Sequence, residues 1–287
     1  MKKISFLLNI IFSVFLISTT VYSESLPALK NSVQEPAQDS GDEKAQAAEL
    51  AKKLSNPVAS LISVPIQENW DFGIGKTNAQ KHTINIQPVI PVSLNEDWNL
   101  ITRTILPVTY LQSPVRGGED EFGLGDIVQS FFLSPKEPVK GLILGGGPVF
   151  LYPSSTNDVP LGSEKFGLGP TIVLLKQKKG WTVGLLGNHI WSVAGNSNRK
   201  EVNATYLQPF MNYTTKKFTT LGVSTESTYD WDNQQWTAPI LASVSQLVKI
   251  GKMPISLGLG GGYYIDSPTG GPEWKLRFSV TFLFPKK

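Results

Sequence analysis

The chain has no cysteine, two histidines and three methionines in 287 residues. Without cysteine there is no lipid-anchored N-terminal Cys, no disulfide framework and no thiolate for a metal or a nucleophilic site. Two histidines without a carboxylate cluster beside them do not make a transition-metal set. Charge of one sign is scarce as well. The formal balance is +3 and falls to +1 if Lys2 and Lys3 leave with an N-terminal signal. That excludes the basic excess nucleic acid requires, and there is no acidic tail. Beyond the N-terminus no apolar run is long enough to span a bilayer as a helix, and long helical periodicities are few. What is present is 26 glycines and 20 prolines, a composition that favours an all-β architecture with many turns.

Residues 1–23 read as a secretory signal peptide. Lys2 and Lys3 form the charged start, residues 4–17 a mostly apolar stretch, and Val21, Tyr22 and Ser23 a cleavage site before Glu24. Residues 24–57 read as a flexible leader with a short helix over 42–54 (DEKAQAAELAKKL). Asp42 is placed to cap that helix and Lys52 and Lys53 suit its C-terminal end. Such a helix either precedes a barrel or plugs its lumen.

From residue 58 to 287 the chain breaks into about twelve strand-like runs, near 58–70, 82–94, 98–111, 122–133, 140–152, 166–176, 181–193, 203–214, 218–229, 236–248, 254–264 and 274–284. The breaks alternate in length. Short ones fall at 95–97, 134–138, 177–180, 215–217 and 249–253, and longer polar ones near 71–81, 112–121, 153–165, 194–202, 230–235 and 265–273. An antiparallel up-and-down transmembrane barrel with both termini in the periplasm predicts this alternation, which a Greek-key sandwich does not require.

The last run shows the face pattern best. Trp274, Leu276, Phe278, Val280, Phe282 and Phe284 take one phase, and Lys275, Arg277, Ser279 and Thr281 the other, with Leu283 as the exception. A strand's side-chain period of two then gives one lipid-facing and one wet face. Phe278, Phe282 and Phe284 also read as the C-terminal signal for outer-membrane assembly. Aromatics gather at strand ends, and Trp70, Trp98, Trp181, Trp191, Trp236 and Trp274 are expected to form interfacial girdles. Trp181 and Trp191 share a phase across roughly 25 Å of barrel height.

Phe-Gly-(Ile/Leu)-Gly recurs at 72–75, 122–125 and 166–169. No helix follows any copy, so these are not dinucleotide-binding glycines. They read as Phe toward lipid with Gly on the lumen side. His189 falls in the phase of Val183 and Trp191, which makes it an interfacial histidine rather than the base of a barrel hydrolase. The inward phase carries Arg103, Asp126, Glu226, Lys275 and Arg277 as lumen-lining candidates, and Arg103 and Asp126 lie on strands close enough to pair. Charges lining a pore set solute preference, and the same charges satisfy one another in a filled lumen; the residues leave both open. No catalytic, cofactor or metal residues are expected.

Asn56-Pro-Val-Ala-Ser-Leu-Ile-Ser-Val-Pro65, Asn85-Ile-Gln-Pro-Val-Ile-Pro91, the run 95–107 (NEDWNLITRTILP), Phe122-Gly-Leu-Gly-Asp-Ile127 and Ser130-Phe-Phe-Leu-Ser-Pro135 together resemble a bacterial family of outer-membrane barrel proteins. Its members are usually labelled as transporters, as similar to a MetA-type barrel of phenol degradation, or misleadingly as "neuromedin U". The resemblance covers the chain from about Asn56 onward and carries over no catalytic residue. It implies an outer-membrane barrel, delivered by the assembly machinery, monomeric, in contact with lipid. Such a barrel would pass small solutes, apolar or aromatic ones included. The rival expectations are a structural or surface-interaction barrel with a filled lumen, and a barrel lipid hydrolase.

Overall fold

The computed structural model describes residues 39–156, 161–251 and 253–285. The proposed signal peptide, residues 24–38 of the leader and the Lys286-Lys287 tail lie outside the described residues. One helix, α1 (Asp39–Leu54), precedes fifteen strands in a single sheet. In chain order these are β1 (Ile62–Ile74), β2 (Ala79–Ile86), β3 (Val89–Ser93), β4 (Trp98–Leu111), β5 (Glu121–Leu124), β6 (Ile127–Pro135), β7 (Ile143–Tyr152), β8 (Lys165–Lys178), β9 (Trp181–Gly195), β10 (Asn203–Thr214), β11 (Thr219–Thr225), β12 (Ser227–Asp230), β13 (Gln235–Ile250), β14 (Met253–Asp266) and β15 (Trp274–Phe284). Every pairing is antiparallel, and β1 pairs with β15 from Ile62↔Phe284 to Phe72↔Trp274, so the sheet closes on itself. Because β2 and β3, β5 and β6, and β11 and β12 are each one stave broken once, the barrel has twelve staves, as the sequence predicts.

Each break sits opposite a proline. Continuing the register puts Gln87 across from Pro65, Gly125 across from Pro107, and Glu226 across from Pro239. Proline has no N–H to give the ladder, so one of the bonds that would carry the strand through is missing. What remains is one-sided: Gln87 N donates to Pro65 O at 2.8 Å and Gly125 N to Pro107 O at 2.9 Å.

Turn chemistry explains the short connections. Lys179 and Gly180 both take positive φ, 50° and 85°, which is the twist a two-residue hairpin needs between β8 and β9. Asn95 Oδ1 accepts from the backbone N–H of Asp97 and Trp98 at 2.9 Å each. At the opposite end, two segments expected to be long loops are tight turns. β1 and β2 run on to Ile74 and Ala79, so 71–81 reduces to a turn at 75–78, and 230–235 reduces to one at 231–234. The polar residues there, Asp71 and Gln80 among them, are strand residues whose polarity mimicked a loop.

The first strand also starts later than the hydrophobicity suggests, at Ile62 rather than 58. Val58, Ala59 and Leu61 are buried inside the barrel instead. α1 starts three residues before Asp42, and the side chains of Asp42 and Glu43 lie outside the described ones. Its last turn holds Lys52 and Lys53, and Lys53 pairs with Glu49 at 2.6 Å, holding that carboxyl below its usual range.

Two apolar clusters seat this N-terminal segment at the end of the barrel that carries Ile62 and Phe284. Val58 packs on Ile101, Phe132, Val173, Leu175 and Leu186 from four staves. Ala59 and Leu61 pack with Leu283, with Leu50, Leu54 and Leu247 around them. Leu283, the lone apolar residue in the inward phase of β15, is apolar because it faces this plug. Gln177 Nε2 donates to Lys52 O at 2.9 Å, tying the end of α1 to the rim.

Candidate functional site: the barrel lumen

The inward phase of the staves encloses a cavity of about 650 Å³. Its floor is the plug, with Leu54, Ser55 and Ala59 on its surface. Its wall is divided. β6 to β9 contribute mainly aliphatic groups, such as Val128, Leu151, Leu186 and Ile190, while β11 to β15 and β1 to β4 contribute Ser243, Ser279, Gln67, Asn85 and Gln87 with the charged groups.

The charged groups are tied together. Arg277 on β15 makes a fork onto Glu226, with Nη1 donating to Oε1 and Nη2 to Oε2, each at 2.6 Å. Its Nε donates to Asn69 Oδ1 on β1 at 2.7 Å. Two parallel charge-assisted bonds of this kind hold both side chains in one orientation. The fork reaches from the broken stave β11/β12 across β13 and β14 to β15. The break leaves Glu226 off the regular ladder, three staves from Arg277 on the same polar wall. Toward the loop end, Lys275 Nζ lies 3.6 Å from Asp71 Oδ1, which also accepts from the Tyr264 hydroxyl at 2.8 Å. The Lys275 ammonium sits over the Tyr264 ring at 5.4 Å. On the other side, Arg103 Nη2 donates to Gln87 Oε1 at 2.7 Å, and Gln87 Nε2 donates to Gln67 Oε1 at 2.8 Å.

Four of the five charged residues proposed from sequence therefore meet in or beside one space. Asp126 does not. Its carboxylate accepts from Ser163 N and Oγ at 2.7 and 2.6 Å and from Ser155 N at 3.3 Å, so it ties the backbone at Ser155 to that at Ser163. The expected Arg103–Asp126 pair is absent among the described residues, because β4 aligns Arg103 with Ser130 and Val89, well along the stave from Asp126. Asp71, Tyr264 and Tyr206 escaped the sequence reading as members of this site. Asp71 was assigned to a loop, and inward tyrosines were not distinguished from girdle tyrosines; counting phase inward from the closing strand's register would have found them.

The outward phase is apolar and aromatic. Trp181 and Trp191 are 47% and 49% exposed on the same face of β9, and Trp98 and Trp274 are also exposed. Trp70, Trp236 and Trp274 lie toward the loop end with Trp191, while Trp98 and Trp181 lie toward the plug end. Phe72 stacks on Trp274 at 3.9 Å, and Trp70 Nε1 donates to Gln80. Phe278 and Phe284 are exposed on β15, with Phe282 half-buried between its neighbours on β1 and β14. In the second and third Phe-Gly repeats Phe122 and Phe166 face out and Gly123 and Gly167 face in. Gly169 serves close approach, since a Cβ there would sit 1.7 Å from the His189 carbonyl oxygen.

Both histidines face outward beside aromatic rings. His82 Nδ1 is 2.9 Å from Glu68 Oε1, and His189 Nδ1 is 2.7 Å from Thr205 Oγ1, which also accepts from Trp231 Nε1. His189 Nε2 is buried without a partner among the described residues. Thr205 orients the ring through Nδ1, two tryptophans flank it, and among the described residues no serine hydroxyl bonds to its other nitrogen.

No protein-family model matches the sequence, and no curated protein matches it. Among solved structures, the fold is similar to an outer membrane channel from Pseudomonas putida F1, with a TM-score of 0.62 and 15% identity, covering 78% of this chain and 96% of that one. It is also similar to outer membrane phospholipase A from Escherichia coli (TM-score 0.47, 11% identity, 85% and 98% covered). A third is the beta domain of the Bordetella autotransporter BrkA (TM-score 0.43, 10% identity, 78% and 100% covered). At these identities the likeness is one of fold, and the first of the three establishes it: a closed antiparallel barrel of the outer-membrane kind.

Proposed function

We propose that this chain is an outer-membrane β-barrel, exported by a cleaved signal peptide, that passes small solutes through its lumen without catalysing a reaction. The observation that carries the proposal is the cavity of about 650 Å³ inside the barrel, bounded by a charged and amide-rich wall on one side and an aliphatic wall on the other. A closed sheet with an apolar, aromatic-capped outer surface and a polar cavity suits lipid outside and solute inside. The chain is read as a monomer that reaches its place through the barrel assembly machinery, with Phe284 in the terminal signal. The six tryptophans Trp70, Trp98, Trp181, Trp191, Trp236 and Trp274 are read as its interfacial belts. Passage of apolar or aromatic solutes, which the MetA-type resemblance suggests, fits the aliphatic half of the wall.

Segment 50–61 closes the plug end, so passage requires that it shift. The test is conductance of the folded protein in a planar bilayer, for the wild type and for Val58→Asp. A carboxylate at Val58 has no partner in its apolar seat and loosens the plug. Discrete conductance that increases in Val58→Asp supports passage. A barrel silent in both forms rejects it and favours the structural barrel with a filled lumen, for which the tight seating of Val58 speaks. Fractionation with heat-modifiable gel mobility checks the location: recovery in the soluble periplasmic fraction defeats the outer-membrane reading.

A further inference from the structure

The cavity wall holds a cation with no carboxylate bound to it among the described residues. Lys53 pairs with Glu49, and Arg277 is forked onto Glu226. Among the described residues Arg103 has only a neutral hydrogen-bond partner, Gln87 Oε1. Glu226 is close enough for Arg103 to act on its charge, but both its oxygens already accept from Arg277. A guanidinium presents five donors in one plane, and the Gln87 bond uses one of them. Held at the wall of a confined cavity, such a cation gains by taking an anion in place of water.

Its surroundings restrict which anion. Ile105 shares its face of β4, Val128 stands on the neighbouring stave, and Leu186 and Ile190 line the same space. Glu226 across the cavity opposes a second negative charge. We propose that the lumen cavity is a binding site for small organic monoanions, a single carboxylate on an apolar body, with Arg103 as the anchoring residue and the aliphatic wall receiving the body. This rests on the reading that the lumen admits solutes, and it names their class. A volume of about 650 Å³ holds a one-ring or short-chain acid with some water, within the range of small-molecule sites.

Calorimetric titration of the folded full-length protein in detergent tests it, with benzoate, benzyl alcohol and benzylamine as anionic, neutral and cationic probes of similar shape. The expected result is benzoate binding at least tenfold tighter than either counterpart. Arg103→Gln should weaken benzoate binding by about ten- to a hundredfold, the loss of one or two hydrogen bonds to a charged group. Arg103→Lys should recover part of it, keeping the charge and losing the fork. If Arg103→Gln does not fold, the three-probe comparison on the wild type decides alone. Equal affinity for benzoate and benzyl alcohol, or full benzoate affinity in folded Arg103→Gln, overturns the proposal. Conductance on the same preparation keeps the two claims apart. A conducting barrel with no benzoate preference defeats the anion site and leaves passage standing. Benzoate binding to a silent barrel does the reverse.

Discussion

Replacing Glu226 with alanine should cost the barrel about 3 kcal/mol, and the number follows from what Arg277 loses. The Arg277 side chain is 11% exposed and that of Glu226 20%, so neither end of the pair is freely solvated. The substitution removes two hydrogen bonds of 2.6 Å to a charged partner. At roughly 1.5–3 kcal/mol each, that is about 3–6 kcal/mol before water returns to the guanidinium from the adjoining cavity. Asn69 keeps its bond to Nε, which also softens the loss. Breaking one side of a buried pair costs about 3–5 kcal/mol in general, and the bordering cavity puts this case at the lower end. Urea unfolding of the barrel in lipid vesicles, followed by tryptophan fluorescence, measures it. The double variant Arg277→Met with Glu226→Leu should recover most of the stability, because the stranded charge is then gone. A loss below about 0.5 kcal/mol in Glu226→Ala, or no coupling in the double-mutant cycle, would refute the claim that this pair ties the staves of the polar wall together.

Three further outcomes are expected. Gly169→Ala should block assembly or abolish the heat-modifiable gel shift, since its Cβ falls on the His189 carbonyl oxygen across the β8–β9 pairing; a normally folded Gly169→Ala would show that the staves part easily there. Phe284→Ala should lower the amount of protein recovered in the outer membrane while deletion of Lys286 and Lys287 leaves it unchanged, read by quantitative immunoblot of membrane fractions; equal loss from both would reject Phe284 as the terminal signal. Asp120 accepts from the Tyr110 hydroxyl at 2.6 Å and from Ser113 N at 3.0 Å, and the Tyr110 bond first, then the Ser113 bond, hold its carboxyl below the usual 3.8. A depressed folded value means that the loop's hold is complete above the unfolded value and is lost as pH falls through the lower, folded one. Hydrogen exchange of the Ser113 amide should thus quicken only below about pH 4 and be fast throughout in Asp120→Asn; exchange independent of pH after correction for the intrinsic rate would count against it.

How much of this was legible in the sequence depends on which face a residue serves. The outward face was legible because lipid and aromatic belts impose one rule on every stave. The ends of β4, β10 and β15 fall where the alternation puts them, at Trp98 and Leu111, Asn203 and Thr214, Trp274 and Phe284. The inward face obeys no single rule. Val173 and Leu175 are apolar and inward because Val58 packs on them, and Gln177, two residues further on, is polar because it binds the Lys52 carbonyl. A period-two pattern loses contrast where both faces are apolar, as along β7, which is why the sequence left open whether the N-terminal segment plugs the lumen. Pairings across the lumen are invisible for a different reason. Arg277 and Glu226 are three staves apart, and only the closed geometry makes them neighbours, whereas Arg103 and Asp126 are close in stave order and yet offset along it.

The prolines connect these observations. Pro65, Pro107 and Pro239 each remove a ladder donor opposite a break, and two of the three breaks leave a lumen residue of the polar wall, Gln87 and Glu226, off the regular ladder. Those two are the partners of Arg103 and Arg277. A strictly regular stave would hold their side chains at the pitch of the strand, whereas a broken one lets the backbone adjust where an amide must meet one guanidinium and a carboxylate the other. The third break, at Gly125, precedes Asp126, which caps the outer segments instead. Proline is costly inside a sheet because of the bond it forfeits, and here the forfeited bonds fall beside the residues that organise the polar wall and the loop end. Restoring a donor with Pro239→Ala would then be expected to strengthen the ladder and to shift Glu226, weakening its fork with Arg277 even as the β12–β13 pairing gains a bond.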